Sequence, residues 1–151
     1  MSASVYFVVH GAAQPKGSAR AFVPKGWKRP VVTSANPNLK RWETTIRGEL
    51  QRVMAETRAD IRTALFGAAV RVSLTFYVAR PKSLPKRVMH ATKKPDLDKL
   101  VRAAIDSLSG VLFKDDAQVT DILARKLYAQ GAPYLEVIVE AHTAPLLKES
   151  A

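Results

Sequence analysis

The aspartates of this chain are concentrated in one region, and their spacing has chemical meaning. All but one of the seven aspartates lie within residues 96–121, where neither histidine nor cysteine occurs. They include two close pairs, Asp96 with Asp98 and Asp115 with Asp116. Carboxylate oxygens without imidazole or thiolate neighbours are hard ligands, which suit Mg²⁺ or Mn²⁺ better than zinc. Because such ions polarise phosphate and generate hydroxide, one interpretation of this spacing is a metal-dependent phosphodiesterase.

The geometry of the first pair depends on where a helix begins. Pro95 disfavours helical geometry at Lys94 and is easily accommodated at a helix start. If Asp96 and Asp98 both lay inside the helix, their side chains would point about 200° apart, because each residue turns the helix by about 100°. If Asp96 is still extended or at the N-cap while Asp98 begins the first turn, the two carboxylates can converge.

The same aspartates also have purely structural interpretations. An aspartate that follows an extended stretch most often caps a helix, so this is the alternative role of Asp96. Asp115 and Asp116 suit a turn, and Asp106 and Asp121 suit solvation or salt bridges. Residue types alone leave metal catalysis and these structural roles open.

Two basic residues flank the first carboxylate pair on the predicted helix. Lys99 follows Asp98 directly, and Arg102 stands one helical turn after it. Arg102 either holds a phosphate and stabilises transition-state charge, or forms an ion pair with Asp98 worth only about 0.3 to 0.5 kcal/mol. Both roles of this arginine stay open at this point.

The rest of the chain is strongly basic. Lysine and arginine number 24 against 13 aspartate and glutamate, which gives a formal net charge of +11. Residues 1–42 hold seven of these bases and no acid, and residues 80–94 hold six and no acid. Lysine and arginine displace counterions condensed on phosphates, so this surplus favours a polyanionic partner. Trp27, in a basic stretch, is the better candidate for stacking on bases, whereas Trp42 is expected in the core.

Hydrophobic periodicity predicts one α/β domain with a mixed sheet and two main helices. One helix covers residues 39–53 with Asn36 or Asn38 as its cap, and the second covers residues 97–108 and ends at Gly110. Residues 11–30 are expected to form a loop or hairpin. The domain is expected to span residues 1–143, with a frayed tail over residues 144–151. The predicted strands are Val5–Val9, Val70–Val78, Val119–Tyr128 and Tyr134–Ala141.

Composition excludes several classes of protein. With 47% hydrophobic residues, the chain is able to bury enough apolar surface to offset its ordering entropy. The absence of cysteine excludes a disulfide scaffold, a thiolate nucleophile and a cysteine-ligated metal. No apolar run approaches the roughly 20 residues of a membrane span, and residues 1–10 lack the features of a signal peptide. The expectation is a soluble intracellular protein without a membrane partner.

Three segments together resemble the RusA family of Holliday junction resolvases, including its phage-borne members. These are residues 95–100 (PDLDKL), residues 115–119 (DDAQV) and the basic loop at residues 15–20 (PKGSAR). Two acidic motifs in the right order, on either side of a helix, are more specific than either motif alone. The resemblance covers most of the chain.

This resemblance implies an endonuclease of DNA recombination and repair, acting in the cytoplasm of a bacterial or phage-infected cell. It implies a homodimer that binds four-way DNA junctions and nicks two opposing strands with Mg²⁺ or Mn²⁺. The essential carboxylates map onto Asp96, Asp98 and Asp116, with Asp115 as a possible assistant. Arg102 stands where family members have a functional lysine, and Lys99 stands where an asparagine is commoner.

The basic surplus and the resemblance together predict which residues hold the arms of the junction, mainly through phosphates and DNA shape. Two other functions compete with junction resolution: a non-catalytic architectural DNA-binding protein, and a less selective metal nuclease for flaps or forks. The predicted DNA-binding residues are Lys16, Arg20, Lys25, Lys28, Arg29, Lys86, Arg87, Lys93, Lys94 and Lys99.

Overall fold

The structure is a computed structural model that describes residues 3–17, 19–34 and 36–142, without the side chains of residues 19, 20 and 32–34. The tail predicted at residues 144–151 lies outside the described residues. The described elements are β1 (Ser4–His10), β2 (Ala19–Phe22), β3 (Val31–Ser34), α1 (Leu39–Glu56), α2 (Ala59–Gly67), β4 (Val70–Val78), α3 (Leu97–Leu108), β5 (Val119–Tyr128) and β6 (Tyr134–Ala141).

The main sheet has four strands in the order β1-β6-β4-β5. β6 runs antiparallel to both of its neighbours, whereas β4 and β5 are parallel, so the sheet is mixed. Along β4 and β6, residues alternate between buried and partly exposed, as strands with one covered face do. β5 forms one edge of this sheet, with Ile122 and Leu123 both more than half exposed.

The helices supply the residues that cover the buried face of the sheet. Trp42, Ile46 and Leu50 lie at helical spacing on α1, and all three are buried in the same core cluster as the inward residues of the sheet. Leu100 and Leu108 of α3 are fully buried in that cluster. The prediction that Trp42 belongs to the core is therefore confirmed.

β4, α3 and β5 form a βαβ unit that sets the direction of α3. The Lys126 ammonium, near the end of β5, donates a hydrogen bond of 2.6 Å to the carbonyl of Pro95, just before α3. Beyond the other end of α3, the Gln118 side chain donates to the carbonyl of Ala68, just before β4. α3 therefore runs antiparallel to the two strands, with its first residue at their carboxyl ends.

Two features of the fold go beyond the predicted elements. α2 was not predicted because its apolar pattern is weak, with Leu65 as its buried residue and Phe66 42% exposed. β6 lies between β1 and β4, so β5 and β6 are adjacent in sequence but not in the sheet. The hairpin considered for residues 11–30 is observed, because β2 pairs with β3 in a separate two-stranded hairpin that extends to Ser34. Among the described residues, no helix is long and apolar enough to cross a membrane.

Gly11 is the position where a glycine is most clearly required. Its φ of +137° lies in the region that side chains disfavour, and an added Cβ would lie 3.2 Å from the Trp42 ring. Gly11→Ala is expected to lower the free energy of unfolding by about 1 to 3 kcal/mol, measured by urea denaturation. The matched control is Gly48→Ala, because Gly48 is exposed within α1 with open space around it. That change is expected to raise stability by up to about 1 kcal/mol, and equal losses in both variants would contradict the prediction.

Candidate active site

The amino end of α3 presents two carboxylates. Asp96 is the N-cap residue, with an extended backbone (φ −71°, ψ 138°), and Asp98 lies in the first turn. The Asp96 side chain makes no capping hydrogen bond, so the structural role considered for it is not the one observed. This is the arrangement in which the two carboxylates can converge.

Lys99 and Arg102 are the basic neighbours of this pair, and their contacts differ from the Asp98–Arg102 ion pair considered as the structural alternative. Lys99 lies 3.8 Å from the Asp96 carboxylate in an exposed i,i+3 ion pair. In the described part of the chain, neither a hydrogen bond nor an ion pair engages the side chains of Asp98 and Arg102. The ion pair considered for Asp98 and Arg102 is therefore absent among the described residues, and both exposed side chains can meet a ligand.

The second carboxylate pair lies in a short 3-10 turn, Asp116–Gln118, that leads into β5. Asp115 caps this turn, because its Oδ1 accepts a hydrogen bond of 2.9 Å from the backbone of Ala117. The Gln118 side chain accepts in return from the Asp115 backbone at 2.9 Å, which completes a capping box. The turn role considered for Asp115 is observed, while Asp116 takes no part in this capping box.

The carboxyl groups of Asp115 and Asp116 influence each other's pKa. The hydrogen bond from the Ala117 backbone, followed by one from Asp116, lowers the pKa of Asp115. The hydrogen bond to Asp115, with desolvation and the charges of Asp115 and Asp106, raises the pKa of Asp116. Two carboxylates this close repel each other when both are ionised, and a cation bound beside them would relieve that repulsion.

The two carboxylate pairs lie at opposite ends of α3. The helix has twelve residues, so it spans about 18 Å. Asp106, near its carboxyl end, is close enough to Asp116 to influence its charge, while Asp96 and Asp98 lie at the amino end. Across residues 3–17, 19–34 and 36–142, no three acidic or histidine side chains are placed to enclose a metal ion. The oxygen donors suit Mg²⁺ or Mn²⁺ in type, but one chain does not bring the predicted set together.

The segment that precedes Asp96 is fastened to the sheet by a residue that the sequence did not single out. The Lys126 ammonium donates to the carbonyls of Lys93 and Pro95, each at 2.6 Å. Lys126 lies opposite buried Phe76 in the sheet register, so it occupies the inward side of β5. A lysine at an inward position of a predicted strand is the one signal that could have identified it.

The long connection before α3 has its own organising residue, Arg80. Its guanidinium donates to the carbonyls of Pro85 and Val88 and lies 5.3 Å from the centre of the Tyr128 ring. Lys86 and Arg87 stay exposed in this connection. A cavity of about 320 Å³ opens beside its end, and both Lys93 and Lys94 line it.

The basic N-terminal residues divide into two groups. Lys25, Lys28 and Arg29 are exposed in the turn of the β2–β3 hairpin, where Trp27 is 62% exposed. Lys16 instead forms an ion pair with Asp106, and its backbone N–H donates to the carbonyl of Lys99 at 3.0 Å. It therefore fastens the chain after β1 to α3. The side chain of Arg20 lies outside the described part.

The remaining acids considered for salt bridges are engaged in them. Asp106 pairs with Lys16, as described above. The Oδ2 atom of Asp121 lies 3.3 Å from Arg71 and 3.0 Å from the His142 imidazole. Asp121 belongs to β5, and Arg71 lies opposite it in the sheet register. Both carboxylates therefore have structural partners.

Residues 12–140 match the family described as Endodeoxyribonuclease RusA. The chain belongs to the RusA endodeoxyribonuclease family. The match includes both carboxylate pairs, the basic hairpin and the connection before α3.

A relative from a bacterium agrees over a shorter stretch. The chain is 37% identical over 54 residues to the protein named "Uncharacterized protein YqaN" of Bacillus subtilis (strain 168). The match covers 36% of this chain and 37% of that protein, so the chain spans well under half the length of this relative. That name carries no activity, and the RusA assignment therefore depends on the family match.

Lys126→Met tests whether the Lys126 ammonium anchors the segment that precedes Asp96. Methionine keeps most of the side-chain length but removes both hydrogen bonds of the ammonium. Urea denaturation is expected to show a loss of about 1.5 to 3 kcal/mol, because these bonds involve a charged donor. The control is Lys82→Met, since Lys82 is exposed in the same connection and is expected to change stability by less than about 0.5 kcal/mol. A stability loss no greater than that of Lys82→Met would contradict the anchoring role.

Proposed function

We propose that the protein is a divalent-metal-dependent endodeoxyribonuclease that resolves four-way DNA junctions by paired, symmetric nicks in recombination and repair. The family match over residues 12–140 carries this proposal. The structure adds support, because Asp96 makes no capping hydrogen bond and only an exposed 3.8 Å ion pair with Lys99. Among the described residues, the Asp98 side chain makes neither a hydrogen bond nor an ion pair. Because its substrate would be DNA, the protein would act in the cytoplasm of a bacterial or phage-infected cell.

Asp96, Asp98 and Asp116 are the residues proposed to hold Mg²⁺ or Mn²⁺, with Asp115 beside Asp116. When bound, the ion would activate water and neutralise charge on the scissile phosphate. Asp115 keeps one oxygen on the backbone of Ala117, so its part would be to hold the turn that presents Asp116. This division of roles is supported by the free position of Asp116 outside the capping box.

Lys99 and Arg102 are proposed to meet the phosphate on the α3 side of the site. Arg102 is exposed one turn after Asp98 and carries no competing contact in the described chain. A guanidinium presents a planar fork of donors that matches two phosphate oxygens, so arginine is suited to holding the scissile group. Lys99, weakly paired with Asp96, would neutralise charge that develops there.

The exposed basic loops are proposed to hold the arms of the junction. The hairpin turn and the connection before α3 both present lysine and arginine side chains to solvent. A homodimer is proposed because a two-fold protein matches the two-fold symmetry of a junction and places two sites on opposing strands. Lys16 is a weaker candidate for DNA contact than the others, since it is already paired with Asp106.

The test is incubation of a synthetic four-way junction with the purified protein, with and without Mg²⁺ or Mn²⁺. Paired nicks on opposing strands, dependent on the ion and absent from linear duplex, are the expected result. Equal cutting of flaps and forks would favour the less selective nuclease. Tight binding with no product on any DNA, and no effect of the ion, would leave the architectural DNA-binding role. Sedimentation equilibrium is expected to give twice the mass of the chain.

A further inference from the structure

The cavity of about 320 Å³ noted above lies at the carboxyl ends of β4 and β5, beside the start of α3. Val78 and Tyr128, the last residues of these parallel strands, lie opposite each other and both line it. Lys94 and Pro95 also line it, and Pro95 directly precedes Asp96. In α/β sheets, ligands commonly bind outside the carboxyl ends of the parallel strands. The cavity is therefore placed to hold a part of the substrate next to the carboxylate pair at the amino end of α3.

The chemistry of the lining indicates which part of the substrate fits. Most of the lining residues are alanine, proline and valine, which offer apolar walls without polar side-chain groups, and Tyr128 adds an aromatic ring. Among the described residues that line the cavity, the charged side chains are those of Lys93 and Lys94, and both residues are exposed. An apolar interior beside two ammonium groups suits a flat apolar body with negative groups next to it. A nucleobase with its flanking phosphates has this form.

The walls of the cavity are held in place by contacts within the chain. The N–H of Gly11 donates to the carbonyl of Pro133 at 3.1 Å, which joins the segment after β1 to the one before β6. The Lys126 ammonium fastens the segment before α3 through two hydrogen bonds of 2.6 Å. The Arg80 guanidinium lies 5.3 Å from the centre of the Tyr128 ring. Because these contacts form the cavity before a ligand arrives, binding there costs little ordering of the protein.

We propose that this cavity receives one unstacked nucleobase of the DNA strand, next to the scissile phosphate. The inference rests on the proposed function, because that function brings a DNA phosphate to Asp96 and Asp98 and so brings the adjoining base to the cavity. Unstacking costs least for a base that has already lost a pairing or stacking neighbour, as at the crossover of a junction. Lys93 and Lys94 hold the phosphates that flank this base. The need for an unstacked base favours cutting at the crossover over cutting in continuous duplex.

Removing single bases from the DNA tests the cavity without a change in the protein. Junctions are prepared with one abasic site at each nucleotide around the crossover in turn, and binding is measured by gel shift without divalent ion. At one position, the abasic site is expected to weaken binding by roughly 5-fold to 150-fold, the range for the loss of one stacked base. An abasic site in the middle of an arm is the control, and it is expected to leave the affinity unchanged. Unchanged affinity at every position around the crossover would overturn the proposal.

Filling the cavity tests where that base lies. Ala79 and Ala12 are exposed residues of two different walls, so Ala79→Leu and Ala12→Leu each occupy part of the space without disturbing the core. Each variant is expected to bind the intact junction more weakly, by a factor similar to that of the abasic site. The abasic site is then expected to cause no further loss, because both changes remove the same contact.

The control for the filled cavity is Ala55→Leu. Ala55 is exposed on α1 and does not line the cavity, so this variant is expected to respond to the abasic site as the native protein does. Full sensitivity to the abasic site in both Ala79→Leu and Ala12→Leu would overturn the proposal. The base would then be held elsewhere, and the exposed ring of Trp27 is the next candidate.

These measurements separate the cavity from the proposed function. Native protein that binds the junction but cuts no DNA with Mg²⁺ or Mn²⁺ would overturn the proposed nuclease, while the abasic series, which needs no ion, would still decide the cavity. Native protein that cuts the junction and binds every abasic junction with unchanged affinity would overturn the cavity assignment alone.

Discussion

Asp98→Asn is expected to lower the rate of junction cleavage by at least about 100-fold while the affinity for the junction is unchanged. The variant keeps the size and shape of the side chain and removes its charge. Since Asp98 has no hydrogen bond or ion pair in the described chain, the change costs no structural contact. Losses of about 10-fold to 1000-fold are typical when a polar group that positions or stabilises a reacting centre is removed.

The measurement is single-turnover cleavage of a labelled junction with Mg²⁺, together with a gel-shift titration without cleavage. Asp60→Asn is the matched control, because Asp60 is exposed on α2 and pairs only weakly with Arg58 at 3.0 Å. That control is expected to keep its cleavage rate within about twofold, as surface substitutions do. A native cleavage rate in Asp98→Asn would show that Asp98 has no part in catalysis.

Local signals explain why the start of α3 could be predicted from the sequence. Pro95 restricts the residue before it, and Leu100 and Leu108 repeat at helical spacing, so the helix was expected to begin just after Pro95. The structure begins α3 at Leu97, with Asp96 as an extended N-cap residue. The same kind of evidence predicted β4 over residues 70–78, because its apolar residues alternate strictly.

Long-range pairing explains why the arrangement of the carboxylates could not be predicted. Whether Asp98 and Asp116 meet depends on β5 running parallel to β4, since α3 must then span the distance between the ends of the strands. Strand periodicity shows which residues face inward, but it contains no information on which strands are neighbours. For the same reason, the position of β6 between β1 and β4 could not be predicted from the sequence.

Side-chain contacts between segments distant in sequence could not be predicted either. The basic surplus and the family resemblance place Lys16 among the DNA-binding residues, but its ammonium pairs with Asp106, 90 residues further along the chain. Arg80 and Lys126 were not singled out, because their partners are backbone carbonyls, which no sequence pattern marks. Charge counts therefore predicted the kind of partner better than they predicted which basic residues are free to meet it.

The β2–β3 hairpin is expected to make a large contribution to DNA affinity. Lys25, Lys28 and Arg29 are exposed in its turn, and replacing all three with glutamine is expected to weaken junction binding on the order of 100-fold near physiological salt. Each phosphate contact contributes about 0.9 to the slope of log affinity against log salt. The slope is therefore expected to become shallower by about 2.7, so the advantage of the native protein shrinks about 40-fold between 50 and 200 mM salt.

The control separates local contact from net charge. Arg52, Arg58 and Arg62 are exposed on α1, α2 and the link between them, and their replacement with glutamine also lowers the formal net charge by three, from +11 to +8. If the hairpin touches phosphates, the control keeps nearly the native slope. Equal slopes in the two triple variants would mean that only the overall field attracts DNA.

Trp27 provides a second and independent test of the same hairpin. Its ring is 62% exposed between basic neighbours, and stacking on an unpaired base contributes about 1 to 3 kcal/mol. Trp27→Ala is therefore expected to weaken binding to the junction by roughly 5-fold to 150-fold while the salt slope stays native. The charge variant changes the slope and the tryptophan variant does not, because stacking releases no counterions. A Trp27→Ala protein with native affinity would restrict the hairpin to phosphate contacts.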